Sequence, residues 1–154
     1  MIHMHNFYKW YNVGWRKMMF DWKKPTTQML GRWQPWHDGH TALFKKALAE
    51  TGQVIIMVRD VGGIVGEDAG AGRTVAQTDN PFDFTKVCVN IRNGLEEHGY
   101  TMNKEYIVMK VPNIVDISYG RGVGYTFTEH DLGEEVHKIS ATNIRAHLRE
   151  KGEL

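Results

Sequence analysis

The stretch TTQMLGRWQPWHDGHTALFKKALAETG, residues 26–52, decides the architecture. Thr26 to Leu30 is β-branched at its start and apolar at its end, so it reads as a strand running into Gly31. From Asp38 to Thr51 the period changes to that of a helix. Leu43, Phe44, Ala47 and Leu48 share one face, while Lys45, Lys46 and Glu50 lie on the other. Asp38 is suited to cap the start, and Gly52 stands just past the end, where a left-handed residue closes a helix.

Outward from this strand–loop–helix unit the pattern repeats. Val54 to Val58, inside the segment Gln53 to Val61, is almost unbroken by polar residues, which predicts a central parallel strand covered on both faces. A long glycine-bearing loop follows over residues 62–80. Asn80-Pro81 opens the next helix, with Pro81 in the first turn. Val87, Ile91 and Leu95 keep helical spacing, and Gly99 ends it. Tyr106 to Val111 is a third strand, Val115 to Tyr119 a short fourth, Tyr125 to Thr128 a fifth, and Thr142 to Lys151 a last helix. Alternation of this kind predicts an α/β fold: a Rossmann-like open, mostly parallel five-stranded sheet with helices on both faces. Ligands then bind at the carboxyl ends of the strands. Residues 1–25, rich in aromatic and basic side chains without a clean period, read as an N-terminal extension, and 26–154 as the single domain.

Composition narrows the partners. With 42% hydrophobic and 24% charged residues the chain is of ordinary globular make-up. A net charge of +1 argues against a long polyanion such as nucleic acid as the main partner. Any phosphate chemistry must come from local placement of positive groups. Cys88 is the one cysteine, which suits a reducing, cytoplasmic setting, and the N-terminus lacks the apolar run of a secretory signal. No apolar run is long enough to span a membrane. The N-terminal aromatics suit a sheet-edge cover or a homo-oligomeric contact better than base stacking.

Gly31-Arg32-Trp33-Gln34-Pro35-Trp36-His37-Asp38-Gly39-His40 joins the first strand to the first helix. A helix start offers free N–H groups and a partial positive charge to a phosphate. Gly39 leaves room for close approach, and His37 and His40, three apart, project to one side. The plain alternative is a capped helix whose histidines face solvent. Metal ligation would need a third ligand that the pattern does not supply. His37-Asp38-Gly39-His40 resembles the His-x-Gly-His signature of the nucleotidyltransferase superfamily. Gly31 to Pro35 is similar to the Gly-Arg-Phe-Gln-Pro of archaeal-type nicotinamide mononucleotide adenylyltransferases, with Trp33 and Trp36 in place of phenylalanines. The resemblance implies that His37 and His40 contact a triphosphate, and that Gly31, Arg32, Trp33, Gln34 and Gly39 line the nucleotide site.

Ile139-Ser140-Ala141-Thr142-Asn143-Ile144-Arg145 precedes the last helix. Ser140 or Thr142 is a good N-cap, and Arg145, one turn on, can join the Thr142 hydroxyl on one anion. Alone this is an ordinary capped helix. It is similar, however, to the Ile-Ser-x-Thr-x-x-Arg signature of the same superfamily, which implies that Ser140, Thr142 and Arg145 hold the β- and γ-phosphates. Asn80-Pro81-Phe82 resembles the opening of a helix in the adenylyltransferase branch. Arg121, within Gly120 to Gly124, is a weaker candidate near the nucleotide, and so are Arg59, at the end of the second strand, and Arg73 in the long loop.

The resemblance implies transfer of a nucleoside monophosphate, AMP favoured, from ATP or CTP to a phosphorylated acceptor such as nicotinamide mononucleotide, releasing pyrophosphate. An acceptor phosphate is already ionised, so no general base is needed. Catalysis is then positioning and charge stabilisation by His37, His40 and Arg145, with Mg²⁺ bridging phosphate oxygens and no protein metal ligands. The alternatives are cytidylyl transfer to a phosphorylated alcohol and, in another class, a non-catalytic nucleotide-sensing or nucleic-acid-binding module.

Overall fold

The structure, a computed structural model, describes residues 19–62 and 79–154. The tryptophans and other aromatics of residues 1–18, and Arg73 with most of the long loop, lie outside the described residues.

Three strands form one parallel sheet in the order β1 (Thr27–Gly31), β2 (Val54–Arg59) and β3 (Tyr106–Val111). The register pairs Thr27 with Val54 and Gly31 with Val58, then Val54 with Tyr106 and Arg59 with Val111. Helix α1 (Asp38–Thr51) links β1 to β2, and α2 (Phe84–Glu96) lies between β2 and β3. A four-residue turn of helix, α3 (Glu134–His137), precedes the last helix, α4 (Ala141–Glu150).

Chain order equals spatial order across the sheet, so right-handed crossovers put α1 and α2 on the same face. The core confirms this. Val54, Ile56 and Val58, alternate residues of β2, are buried with Phe44 and Ala47 of α1 and with Val87, Ile91 and Leu95 of α2. Each fully buried large side chain here contributes about 1.5–3 kcal/mol. The other face of β2, carrying Ile55, Met57 and Arg59, is only half-buried. The expectation of helices on both faces, drawn from the unbroken apolar run, is thus corrected. The run alternates between a deeply buried and a partly covered side.

The expected five strands are corrected to three. Residues 115–119 and 125–128 form no strand. Val115, Ile117, Tyr119, Tyr125 and Phe127 show the alternation of strands but are all more than half exposed. The backbone bonds around them are local, Ile114 N to Pro112 O and Val123 N to Arg121 O. Alternation makes a strand only where a neighbouring edge receives the ladder. Residues 20–25, read from the sequence as part of the N-terminal extension, and Thr26 bond to residues flanking the sheet. Phe20 N donates to Asn103 O, and the Gln53 side chain bonds Asp21 and Thr26.

Candidate active site

The carboxyl ends of the strands place Gly31, Arg59 and Val111 in one row. The loop leaving β1 folds back sharply on itself. Trp33 sits at φ 55°, in the left-handed region that a bulky residue rarely adopts. Its ring covers Gly31, where a Cβ would lie 2.8 Å from Trp33 Cζ2. Its Nε1 donates to Met57 O at 3.0 Å. Trp36 donates from Nε1 to Thr41 Oγ1 at 2.9 Å. Both tryptophans are over nine-tenths buried, so they are core residues that shape the loop from beneath.

His37, not Asp38, is the N-cap of α1. Its Nδ1 accepts from Gly39 N at 3.0 Å and His40 N at 3.4 Å, while His40 Nδ1 accepts from His37 N at 3.2 Å. This is a capping box written with two imidazoles. The rings stack, centroids 3.6 Å apart and planes at 18°. The room left by Gly39 is taken by the His37 ring, since a Cβ there would stand 2.8 Å from His37 Cε1. Because each Nδ1 accepts, each neutral ring carries its proton on Nε2. Burial, and then the nearby His37, push His40 down to about 3. Burial also lowers His37, against the opposing charge of Asp38. Both rings are therefore neutral Nε2–H donors at ordinary pH.

Positive charge comes from arginines. Arg32 Nη1 donates to Asn80 Oδ1 at 3.1 Å. Arg59 Nη2 donates to Asn113 Oδ1 at 2.7 Å. Burial, and then Arg32, depress Arg59; burial is also the main cause of a lowered Arg145, with Arg32 adding to it. Arg32 thus lies within electrostatic reach of both. Arg145, 3% exposed, donates from Nη1 to Gln34 O at 2.6 Å and from Nη2 to Thr142 Oγ1 at 3.3 Å and Asp79 Oδ1 at 3.4 Å. Ser140 caps α4 by accepting from Asn143 N at 3.4 Å. Val136 of α3 reaches the same place, 3.5 Å from the position of a Gly39 Cβ. The start of α4 therefore packs on the loop before α1: Arg145 rests on the carbonyl three residues before His37, although 111 residues separate it from Gln34.

Two hollows open here. One, about 180 Å³, is lined by Gln34, Val58, Arg59, Asn80, Phe82, Phe84 and Lys110 among others. The other, about 290 Å³, lies between Leu30, Arg59 and residues 114–117. Arg59 is in the wall of both. His37, His40 and Arg145 line neither, and Arg121 is exposed on the stretch beyond β3. Gln34 is 5% exposed, with both ends of its amide bonded to the backbone of Phe82.

Asn80 and Phe82 belong to a cleft that sequence reading treated only as a helix start. Helix α2 begins three residues after Pro81, capped by Asp83, whose carboxylate accepts from Lys86 N at 2.8 Å. Asn80 is 4% exposed, and its Nδ2 has no hydrogen-bond partner among the described residues. A legible signal was there: the residue before a proline is driven from helix into extended backbone, so Asn80 stays outside α2. Among the described residues no group of three or more His, Cys, Asp or Glu side chains could hold a metal ion. No helix among them is long and apolar enough to cross a membrane.

Comparison with known proteins adds one likeness. A nicotinamide-nucleotide adenylyltransferase of Ignicoccus hospitalis is 31% identical over 85 residues, which covers 55% of this chain and 43% of that protein. The matched region is thus less than half the length of the curated relative. No family model and no solved structure matches the chain.

Proposed function

We propose that the chain is a nucleotidyltransferase that transfers a nucleoside monophosphate, AMP favoured, from a nucleoside triphosphate to a phosphorylated acceptor such as nicotinamide mononucleotide. The observation that carries this reading is the convergence of two capped helix starts. The start of α1, with its paired Nε2–H donors, is joined through Gln34 to Arg145 of α4. Each helix start turns the positive end of its dipole toward an anion, and at α1, where His37 Nδ1 already takes Gly39 N and His40 N, the imidazole Nε2–H groups stand in as the donors. The likeness to an adenylyltransferase supports the same class of chemistry.

In this reading the acceptor's phosphate oxygen attacks the α-phosphorus, the bond from α-phosphorus to bridging oxygen breaks, and pyrophosphate leaves. The imidazoles act as fixed neutral donors to phosphoryl oxygens. Arg145, Arg32 and Ser140 with Thr142 balance the charge that grows on the leaving group. Magnesium enters as part of the substrate, on the triphosphate, where it keeps most of its waters. The 180 Å³ cleft, with Val58, Phe82 and Phe84 as apolar walls and Asn80 as a buried amide donor, suits the planar, carbonyl-bearing end of the acceptor. That feature favours nicotinamide mononucleotide over a phosphorylated alcohol, which has no planar ring to seat.

The test is pyrophosphate release by the purified chain with magnesium ATP or CTP against a panel of phosphorylated acceptors. Release with ATP and nicotinamide mononucleotide is expected. Release with CTP and a phosphorylated alcohol instead would turn the reading to cytidylyl transfer. Tight nucleotide binding without release on any acceptor would favour the silent sensor.

A further inference from the structure

Three segments that are remote in the chain meet on Gln34. Its side-chain Nε2 donates to Phe82 O at 2.9 Å, and its Oε1 accepts from Phe82 N at 3.0 Å. Its own carbonyl takes the Arg145 guanidinium at 2.6 Å. Asp79, three residues before Phe82, accepts from the same guanidinium at 3.4 Å. The loop after β1, the segment 79–82 and the start of α4 are thereby closed into one ring of hydrogen bonds. Segment 79–82 belongs to no long helix or strand, so no ladder of its own fixes it. A two-point amide clamp on the backbone of one residue resists both sliding and rotation, and a single bond would not. Asn80 and Phe82, which stand in the wall of the cleft, lie within the clamped segment.

We propose that Gln34 is a positioning residue: its side chain holds segment 79–82, and with it Asn80, at the acceptor cleft, while its carbonyl keeps Arg145 in register with that segment. The side chain shares the wall of that cleft, and with one N–H and its oxygen on Phe82 it acts by holding the segment. This rests on the acceptor assignment made above.

A residue that merely braced the fold would weaken both substrates alike. Positioning predicts a split. Gln34→Met keeps the length and apolar body and leaves the Phe82 N–H and carbonyl without their partners. Gln34→Glu keeps an acceptor for the N–H but sets a carboxylate oxygen against the Phe82 carbonyl. In the full chain, initial rates of pyrophosphate release give KM for the acceptor. Calorimetric titration without acceptor gives Kd for magnesium ATP. Gln34→Met is expected to raise the acceptor KM on the order of tenfold with the nucleotide Kd within about twofold, and Gln34→Glu to fall between it and wild type. Circular dichroism in urea shows whether each variant is folded, and the Glu variant carries the test if the Met variant is not. An unmoved acceptor KM in a folded variant, parallel weakening of both substrates, or loss of fold in both variants overturns the role. A wild-type chain that releases no pyrophosphate on any acceptor overturns the acceptor assignment and this role with it. An active wild type with an unmoved variant KM overturns only the Gln34 role.

Discussion

Acid should loosen this fold through His40, by an amount that follows from its place in the capping box. The ring sits edge-on to Trp33, centroids 4.8 Å apart, tilted against Trp36 at 5.4 Å, and stacked on His37. Its Nδ1 is occupied by the His37 N–H, so a proton added there must break the cap. Burial pushes the folded group down to about 3 from 6.5. A depressed folded value means that the unfolded chain binds the proton first. The stabilisation is therefore present above about pH 6.5 and is lost as the pH falls toward 3. At about 1.4 kcal/mol per pH unit, acidifying to about pH 5 removes about 2 kcal/mol. That loss requires only that the folded value lie well below 5. His37, also lowered by burial, acts in the same direction. With a urea slope of about 2 kcal/mol/M, the midpoint should drop by about 1 M between about pH 7.5 and pH 5. Gln at the third helical position can still reach back to the cap N–H. His40→Gln should therefore keep the cap and shrink the acid-induced drop by about that amount. Denaturation curves of wild type and variant at the two pH values measure it. An equal drop in both would refute the buried, neutral histidine.

Two further outcomes follow from the same geometry. Gly94→Ala places a Cβ 2.8 Å from Trp36 Cδ1 and 3.1 Å from its Nε1, against a buried ring. The overpacking, about 1–3 kcal/mol, should exceed the roughly 1 kcal/mol of helix propensity gained, so the urea midpoint falls; a rise would contradict the packing. His40→Ala should lower turnover by about a hundredfold or more while magnesium ATP binding changes only a few-fold, because a donor placed for the leaving group acts mostly in the transition state. Equal losses in rate constant and binding would count against that role.

Much of this arrangement was readable beforehand where local chemistry decides. Helix α1 runs over the predicted residues Asp38 to Thr51 and closes on Gly52 in the left-handed conformation. Strand β3 has its predicted bounds, Tyr106 to Val111. The reading failed where a side chain from afar sets the local state. Pro81 stays outside α2, which starts behind the Asp83 cap, and the intervening Phe82 is held by Gln34, a partner that no window around Pro81 contains. The missing fourth and fifth strands teach the same point, since exposed Val115, Ile117, Tyr125 and Phe127 carry the right alternation without a paired edge. The two histidines were legible as a pair. That each fixes the other's tautomer was not, because it depends on which ring nitrogen meets which backbone N–H. Gly39 also had a different use from the expected one, since its open side holds the His37 ring.

The double-mutant cycle of His37→Asn and Thr142→Val, read by equilibrium binding of magnesium ATP and of AMP, asks whether two distant helix ends hold one polyphosphate. Asn preserves the N-cap while removing the imidazole, and Val preserves the shape of Thr142 while removing its hydroxyl. A coupling of about 1 kcal/mol for ATP, with none for AMP, is the predicted result. Strictly additive losses with ATP would mean that the two ends never share a ligand.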